Sequence, residues 1–276
     1  MQTLTVDQIE QFTKLIYNFY KTNKREFIWR EQITPYKIVI SEVMLQQTQT
    51  VRVIPKFENW LEVFPDFATL ANASNHDVLT AWQGLGYNRR GLALAKIAQL
   101  IINEHDGQLP SDPEILKTFP AIGSNTAGSI CAFAFNKPIV FIETNIRTVF
   151  THSFFPGQSE ITDKQLLAIV AQTMDHNNAR EWYYALMDYG VHLKKELPRI
   201  NAASKHYTSQ SKFEGSKRQV RGLIIKVLTQ LEKIEYQELI EIIDFQIPTN
   251  THDRHQVIAD LINEKIIYQS RNILSL

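Results

Sequence analysis

The chain has 276 residues, 44% hydrophobic and 21% charged, a balance that suits one large or two modest globular domains and excludes a disordered or fibrous chain. Its 29 Lys and Arg offset 29 Asp and Glu, which excludes a uniformly basic protein and leaves any nucleic-acid contact to local clusters. No stretch is apolar over a membrane's thickness, the N-terminus MQTLTVDQIEQFTK lacks a signal peptide's apolar core, and the single cysteine, Cys131 in an apolar run, excludes an internal disulfide and reads as core filler.

In chain order, Thr5 caps a predicted helix to Tyr20, with Ile9, Phe12, Leu15, Ile16 and Phe19 at helical spacing. A polar loop over 21–26 leads to Trp29 and Arg30. Ile38, Val39, Val43, Met44 and Leu45 then predict a buried helix that contains Glu42. A carboxyl among such neighbours is desolvated and its pKa rises, unless it lies at the helix edge and reaches solvent or a buried Arg. Gln46, Gln47 and Gln49 break the apolar run. Their amides suit hydrogen bonds to base edges, or simply end the helix. Residues 61–110 predict paired helices around Gly84-Leu85-Gly86-Tyr87-Asn88-Arg89-Arg90. The two glycines allow a tight loop that projects Leu85 and Tyr87, and an apolar or aromatic side chain on such a loop can wedge into a base step. Arg89 and Arg90 can hold phosphate; a structural turn with a solvated basic pair is the other reading.

Leu116 to Phe119 end an amphipathic segment, and Pro120-Ala121-Ile122-Gly123 is a short turn in which Gly123 is free to take positive φ. Ser124 or Asn125 then caps the next helix, whose first N–H groups, through Thr126, suit a phosphate. A plain helical hairpin would look the same. Ala127 to Phe135 is core, and Glu143 and Asn145 open a helix through Ile146, Val149 and Phe150. Residues 158–200 return to helices. Between 194 and 226, Lys194, Lys195, Arg199, Lys205, Lys212, Lys217, Arg218, Arg221 and Lys226 face only Glu196 and Glu214. The polar part, 201–216, predicts a basic linker that tracks a phosphate backbone or is merely solvated. Helices through Val220 to Leu228, Tyr236 to Ile243 and Asp253 to Glu264, then alternating segments 265–269 and 271–276, predict a small terminal domain with a hairpin, resembling a winged helix. Such a module can contact DNA or another protein.

Two of these stretches carry a family resemblance. Phe119-Pro120-Ala121-Ile122-Gly123, followed by Glu143-Thr144-Asn145, resembles the helix–hairpin–helix and Gly/Pro-Asp motif of the DNA glycosylase superfamily that includes endonuclease III. SEVMLQQTQ (41–49), Trp29-Arg30 before Pro35-Tyr36-Lys37, and Gly84-Leu85-Gly86-Tyr87 are similar to the MutY-type adenine glycosylases within it. Ala121 stands where the first hairpin Gly is usual, Glu143 where an Asp is usual, Asn88 where a second Tyr is usual, and Tyr184 where a Gln contacts adenine. The resemblance implies a mainly α fold with a glycosylase domain of two helical subdomains over 1–200; the residues beyond it predict a basic linker over 201–216 and a winged-helix-like domain over 217–276, where the family usually carries a nucleotide-hydrolase-like recognition domain.

The resemblance implies hydrolysis of the N-glycosidic bond of a flipped-out base, adenine mispaired with 8-oxoguanine or guanine. Glu42 protonates the leaving base, Glu143 as an anion stabilises an oxocarbenium-like sugar, and Asn145 orients the anion or the water. Trp29, Arg30, Tyr184 and Asp188 form the base pocket, with Asp188 the alternative anion. Gln46, Gln47, Gln49, Leu85, Tyr87, Arg89, Arg90, Ala121, Gly123, Asn125, Thr126, Lys217, Arg218 and Arg221 contact DNA. No Lys stands at the hairpin position, Asn125, so a Schiff-base lyase step is not expected. The family's iron–sulfur cluster needs four thiolates, and the sequence has one Cys, with Lys194 near the first ligand's place. The expectation is therefore no cluster and no other metal, apart from a monovalent cation at the hairpin. The expected partner is double-stranded DNA with a damaged or mispaired base, bound by a monomer that is cytoplasmic, or nuclear in a eukaryote, with no membrane association. Tyr184 keeps open a different damaged base, and Glu143 with the terminal domain keeps open a non-catalytic DNA-binding protein.

Overall fold

Residues 3–197 and 212–276 are described in this computed structural model of the protein. The helices are α1 (Val6–Asn23), α2 (Ile28–Glu31), α3 (Pro35–Leu45), α4 (Thr50–Val63), α5 (Phe67–Ala71), α6 (Asn75–Trp82), α7 (Arg89–Glu104) and α8 (Pro113–Leu116). They continue as α9 (Ser124–Phe135), α10 (Thr144–Phe154), α11 (Asp163–Gln172), α12 (Ala179–Glu196), α13 (Lys217–Leu231), α14 (Tyr236–Gln246) and α15 (Arg254–Asn263). Three short strands, β1 (Lys233–Glu235), β2 (Tyr268–Ser270) and β3 (Ile273–Ser275), form an antiparallel sheet in the order β1-β3-β2. The mainly helical architecture matches the sequence expectation. No helix among the described residues is long and apolar enough to cross a membrane.

The chain divides into two compact units, each assembled from two stretches of sequence. The first joins Met1–Glu42 with Leu109–Ser209; the second joins Val43–Gln108 with Gln210–Leu276.

In the first unit, α1 begins as expected. The Thr5 hydroxyl accepts the Gln8 N–H at 3.2 Å and the Gln8 side chain accepts the Thr5 N–H at 2.9 Å. Its buried stripe is Phe12, Ile16 and Tyr20; Leu15 lies off that line and is 46% exposed. Phe12 packs its ring against Phe150, Phe154 and Trp182, which joins α1 to α10 and α12. Helices α10 and α12 meet where Gly190 lies against Asn145: a Cβ on Gly190 would stand 2.4 Å from the Asn145 carbonyl oxygen. Only a residue without a side chain permits that approach, and it brings one face of α12 onto the first turn of α10.

In the second unit, the terminal segment does not keep a core to itself. Leu79 of α6 is buried with Val220, Ile224 and Leu228 of α13, and Leu92 of α7 packs against the same cluster. His76 adds a 3.3 Å contact to the Thr229 carbonyl. The three predicted helices of this segment are present, and the terminal hairpin pairs Tyr268 with Ser275 and Ser270 with Ile273. Strand β1 was not expected from sequence; Ile234 alone of its three residues is buried, too little for an alternating pattern to register. Residues 201–211 of the expected basic linker, and Arg199, lie outside the described residues.

Candidate active site

The first unit assembles the two candidate carboxylates, and their surroundings differ. Glu143 is the N-cap of α10. One of its oxygens accepts the backbone N–H groups of Asn145 and Ile146, both at 2.9 Å, and the other accepts the Asn145 side-chain amide at 3.0 Å. Three donors and the positive end of the helix dipole stabilise the ionised form. Burial pushes its pKa up, against those N–H groups and the charges of Lys194 and Arg147.

Glu42, in α3, has fewer supports. Its carboxyl accepts the Ser129 hydroxyl at 2.5 Å. Burial raises its pKa to about 7; the Ser129 bond opposes this, the Glu143 charge adds to it, and Arg30 opposes it. Like charges held close in a desolvated site do not both persist, so the proton stays on the member with fewer donors. That member is Glu42. Both residues, taken with their backbone, are half-buried.

Arg30 and Asp188 build the wall beside them. Arg30 donates to both Asp188 oxygens, at 3.0 and 3.1 Å, and Arg25 donates to the same two from its backbone N–H and its guanidinium. Asp188 is buried and fully engaged, so it positions Arg30 rather than contacting a base or replacing Glu143 as the anion; this corrects both roles expected of it. Arg30 in turn lies 4.3 Å from the centre of the Tyr184 ring, whose other neighbour is the stacked ring of Phe133. The Tyr184 hydroxyl is buried with no hydrogen-bond partner among the described residues. Trp29 is buried and stacks on Phe27.

The hairpin between α8 and α9 corrects a local expectation. Positive φ falls on Ala121 (+61°), whereas Gly123 has φ −92° and is the N-cap of α9. Neither Ser124 nor Asn125 caps it: the cap makes no side-chain hydrogen bond, and Asn125 instead accepts the Ile142 N–H at 3.3 Å. Asn125 thereby ties the hairpin helix to the segment that delivers Glu143. Thr126 lies in the first turn of α9, and its carbonyl accepts the Ser129 hydroxyl at 3.0 Å.

In the second unit the expected DNA-contacting residues separate into two groups. Leu85 and Arg90 are buried, contrary to expectation. Arg90 turns inward and donates to the carbonyls of Val43, Met44, Gln46, Leu85 and Gly86, which orders the glutamine segment and the glycine loop instead of holding phosphate. Gln47, Gln49 and Tyr87 are exposed, Gln47 and Tyr87 with positive φ (+54° and +49°); Gln46 is half-buried. With Arg218 and Lys226 of α13, Gln47, Gln49 and Tyr87 line a cleft of about 570 Å³. Lys217 pairs with Asp260, and Arg221 forms a two-pronged pair with Glu264 at 2.5 and 3.0 Å, with Arg89 3.7 Å from the same carboxylate. Those cations hold α13 and α7 to α15, a role that counting basic residues does not reveal.

Sequence reasoning missed Ser129, Arg25 and the contact of Lys194. Lys194 Nζ donates to the Asn145 side-chain oxygen at 2.7 Å. Ser129 had a signal, a lone hydroxyl in an apolar run; the partner of Lys194 had none, because 49 residues separate it from Asn145.

The donors of a four-thiolate cluster are absent. Cys131, the one thiol of the chain, is buried in α9 with its sulfur 3.5 Å from the Ser111 carbonyl, and its pKa is pushed up to about 11 by burial. No cluster of His, Cys, Asp and Glu able to hold a metal ion occurs among the described residues.

The family profile described as HhH-GPD superfamily base excision DNA repair protein matches residues 40–173. An adenine DNA glycosylase of Mycobacterium tuberculosis is 29% identical over 270 residues, covering 90% of this chain and 88% of its own length. An adenine DNA glycosylase of Mycolicibacterium smegmatis is 30% identical over 230 residues, covering 77% and 78%. Among solved structures, a thermostable thymine-DNA glycosylase superposes with a TM-score of 0.60 at 22% identity, covering 67% of this chain and 86% of that one. A trapped endonuclease III–DNA covalent intermediate gives 0.54 at 17% identity, covering 78% and 93%. At those identities the two structures speak to the fold.

Proposed function

The chain belongs to the HhH-GPD superfamily of base excision DNA repair proteins and is a DNA N-glycosylase; from that premise we propose that it hydrolyses adenine from mispairs with 8-oxoguanine or guanine, with no lyase step. The observation that supports this reading most is the asymmetric carboxyl pair: Glu42 with one hydroxyl donor and a pKa of about 7, Glu143 with three N–H donors.

In the proposed reaction the Glu42 carboxyl gives its proton to a ring nitrogen of the flipped adenine. The glycosidic bond breaks with its electron pair leaving on the base, which departs neutral. The sugar is left as an oxocarbenium-like cation, which the Glu143 carboxylate stabilises. Water adds to the anomeric carbon and its proton returns to Glu42. Asn145 holds the Glu143 carboxylate in place. Tyr184, with Arg30 stacked on its ring, backs the base pocket.

The α9 N-terminus, Ala121 and Gly123 contact DNA phosphate in this reading, with a monovalent cation at the hairpin carbonyls. Gln47, Gln49, Tyr87 and Arg218 contact the duplex from the second unit. The partner is double-stranded DNA and the protein acts as a monomer without an iron–sulfur cluster. Single-turnover excision on duplexes with adenine opposite 8-oxoguanine, guanine or thymine, beside duplexes with oxidised or deaminated bases, tests the proposal. Strand breaks after hot alkali at the mispaired adenine, with no iron in the purified protein, are expected. Excision of another base alone, or tight duplex binding with no excision, overturns it.

A further inference from the structure

We propose that Lys194 is a positioning residue for this hydrolysis: its ammonium group fixes the orientation of the Asn145 amide, and through it keeps Glu143 ionised and aimed. The inference rests on the functional reading above and deepens it.

A carboxamide has an acceptor end and a donor end of nearly the same shape, and only its hydrogen-bond partners decide which way it points. Asn145 lies between a group that only donates and a group that, when ionised, only accepts. Lys194 Nζ meets its oxygen at 2.7 Å, and its Nδ2 meets Glu143 at 3.0 Å. With the ammonium in place the amide has one satisfied orientation, and its donor end must face Glu143. Without it, the amide is free to turn its oxygen toward the carboxylate, which repels that oxygen while charged and bonds to it when protonated. Lys194 therefore selects the ionised form of Glu143. One turn earlier on α12, Gly190 packs on the backbone carbonyl of the same Asn145, so α12 holds both the main chain and the side chain of that residue.

The charges that face Glu143 come from three helices. Glu42 on α3 opposes its ionisation, and Arg147 on α10 favours it. Arg147 is shared with Asp163 of α11, 2.6 Å away, which cancels part of its field. Lys194 on α12 favours ionisation. Burial pulls the Lys194 pKa down and the Glu143 charge holds it up, so each charge supports the other.

The test measures single-turnover excision from pH 5 to 9 for wild type, Lys194→Met and Lys194→Arg. A second readout is ¹³C-carboxyl NMR titration of glutamate-labelled protein, with Glu143→Gln assigning the resonance. In Lys194→Met the excision rate at neutral pH falls roughly ten- to a hundredfold with KM unchanged. The acid limb of the pH profile and the Glu143 titration both move up by about one pH unit, and Lys194→Arg restores both. A purely structural Lys194 would lower the rate equally at every pH. An acid limb and a Glu143 titration that stay in place in Lys194→Met overturn the inference. If wild type excises no base, the functional reading fails, and the NMR titration still decides the role of Lys194.

Discussion

Glu143 in the first unit, the N-cap of α10, and Arg221 in the second, five residues into α13, are both charged side chains near helix starts, and the molecule treats them in opposite ways. Glu143 is held by backbone N–H groups, an amide and, one bond further, a lysine. Those partners support its charge without adding an equal and opposite one in contact with it. Arg221 is held by a carboxylate, both prongs of its guanidinium on Glu264. Its field beyond that pair is largely cancelled. Dipoles keep a charge available to act on something else, whereas an ion pair retires it into the structure. By that criterion Glu143 is poised to act on a ligand, and Arg221 and Lys217 are fasteners.

The largest expected effect tests the Glu143 side of this contrast. Glu143→Gln keeps the shape and loses the charge; excision should fall by roughly a thousandfold, while duplex binding in a gel-shift assay stays within a few-fold of wild type. Glu143→Asp keeps the charge and draws it back by about one bond length, and about a hundredfold loss is expected. Full activity in Glu143→Gln would place the anion elsewhere, and Asp188 is an unsuitable substitute because Arg25 and Arg30 occupy both its oxygens.

The second effect concerns stability. Glu42 keeps its proton to about pH 7 when folded, against an ordinary 4.5 when unfolded. Between those values the unfolded chain releases a proton that the folded protein retains, so stability falls as pH rises through that window. The full penalty, about 3 kcal/mol, is present above about pH 7 and absent below about 4.5. Glu42→Gln, which cannot ionise, should be the more stable protein at pH 8 and no more stable at pH 4 by chemical denaturation. The same substitution should abolish excision, since the proton donor is gone.

The contrast extends to which residues were legible in the sequence. Glu143 could be read because its partners are the next residues along, and a carboxylate at a helix start has few other arrangements open to it. Glu42 could be read because the apolar spacing around it dictates burial. Lys217 and Arg221 could not, because Asp260 and Glu264 lie 43 residues away and nothing local signals the pairing. Arg90 was misplaced for a related reason: a basic residue after a glycine loop suits phosphate equally well, and only the fold supplies the carbonyls that turn it inward. Gly190 carried no motif, yet it sets the closest approach between two helices of the candidate site.

A third effect separates the two kinds of cation. Arg221→Gln should lower the melting temperature by a few degrees, about 1 kcal/mol, and leave the salt dependence of DNA binding unchanged. Arg218→Gln, at the cleft, should do the reverse: little change in melting, and a salt slope lower by about one. Equal slopes in the two variants would erase the distinction drawn between fasteners and contacts.

The smallest expected effect lies at the hairpin. Ala121 takes a left-handed conformation that costs a residue with a Cβ about 1 kcal/mol, and glycine adopts it freely. Ala121→Gly should therefore stabilise the protein by somewhat less than that, because the unfolded chain also gains freedom. A loss of stability would mean that the alanine methyl group contributes contacts that outweigh the strain.

Whether Glu42 holds a proton while Glu143 holds a charge is read from the pH dependence of single-turnover excision. The rate should fall on the alkaline side with a midpoint near pH 7, where Glu42 loses its proton, and on the acid side where Glu143 gains one. A rate that stays level from pH 6 through pH 9 would show that no proton from Glu42 is used, and would contradict that assignment.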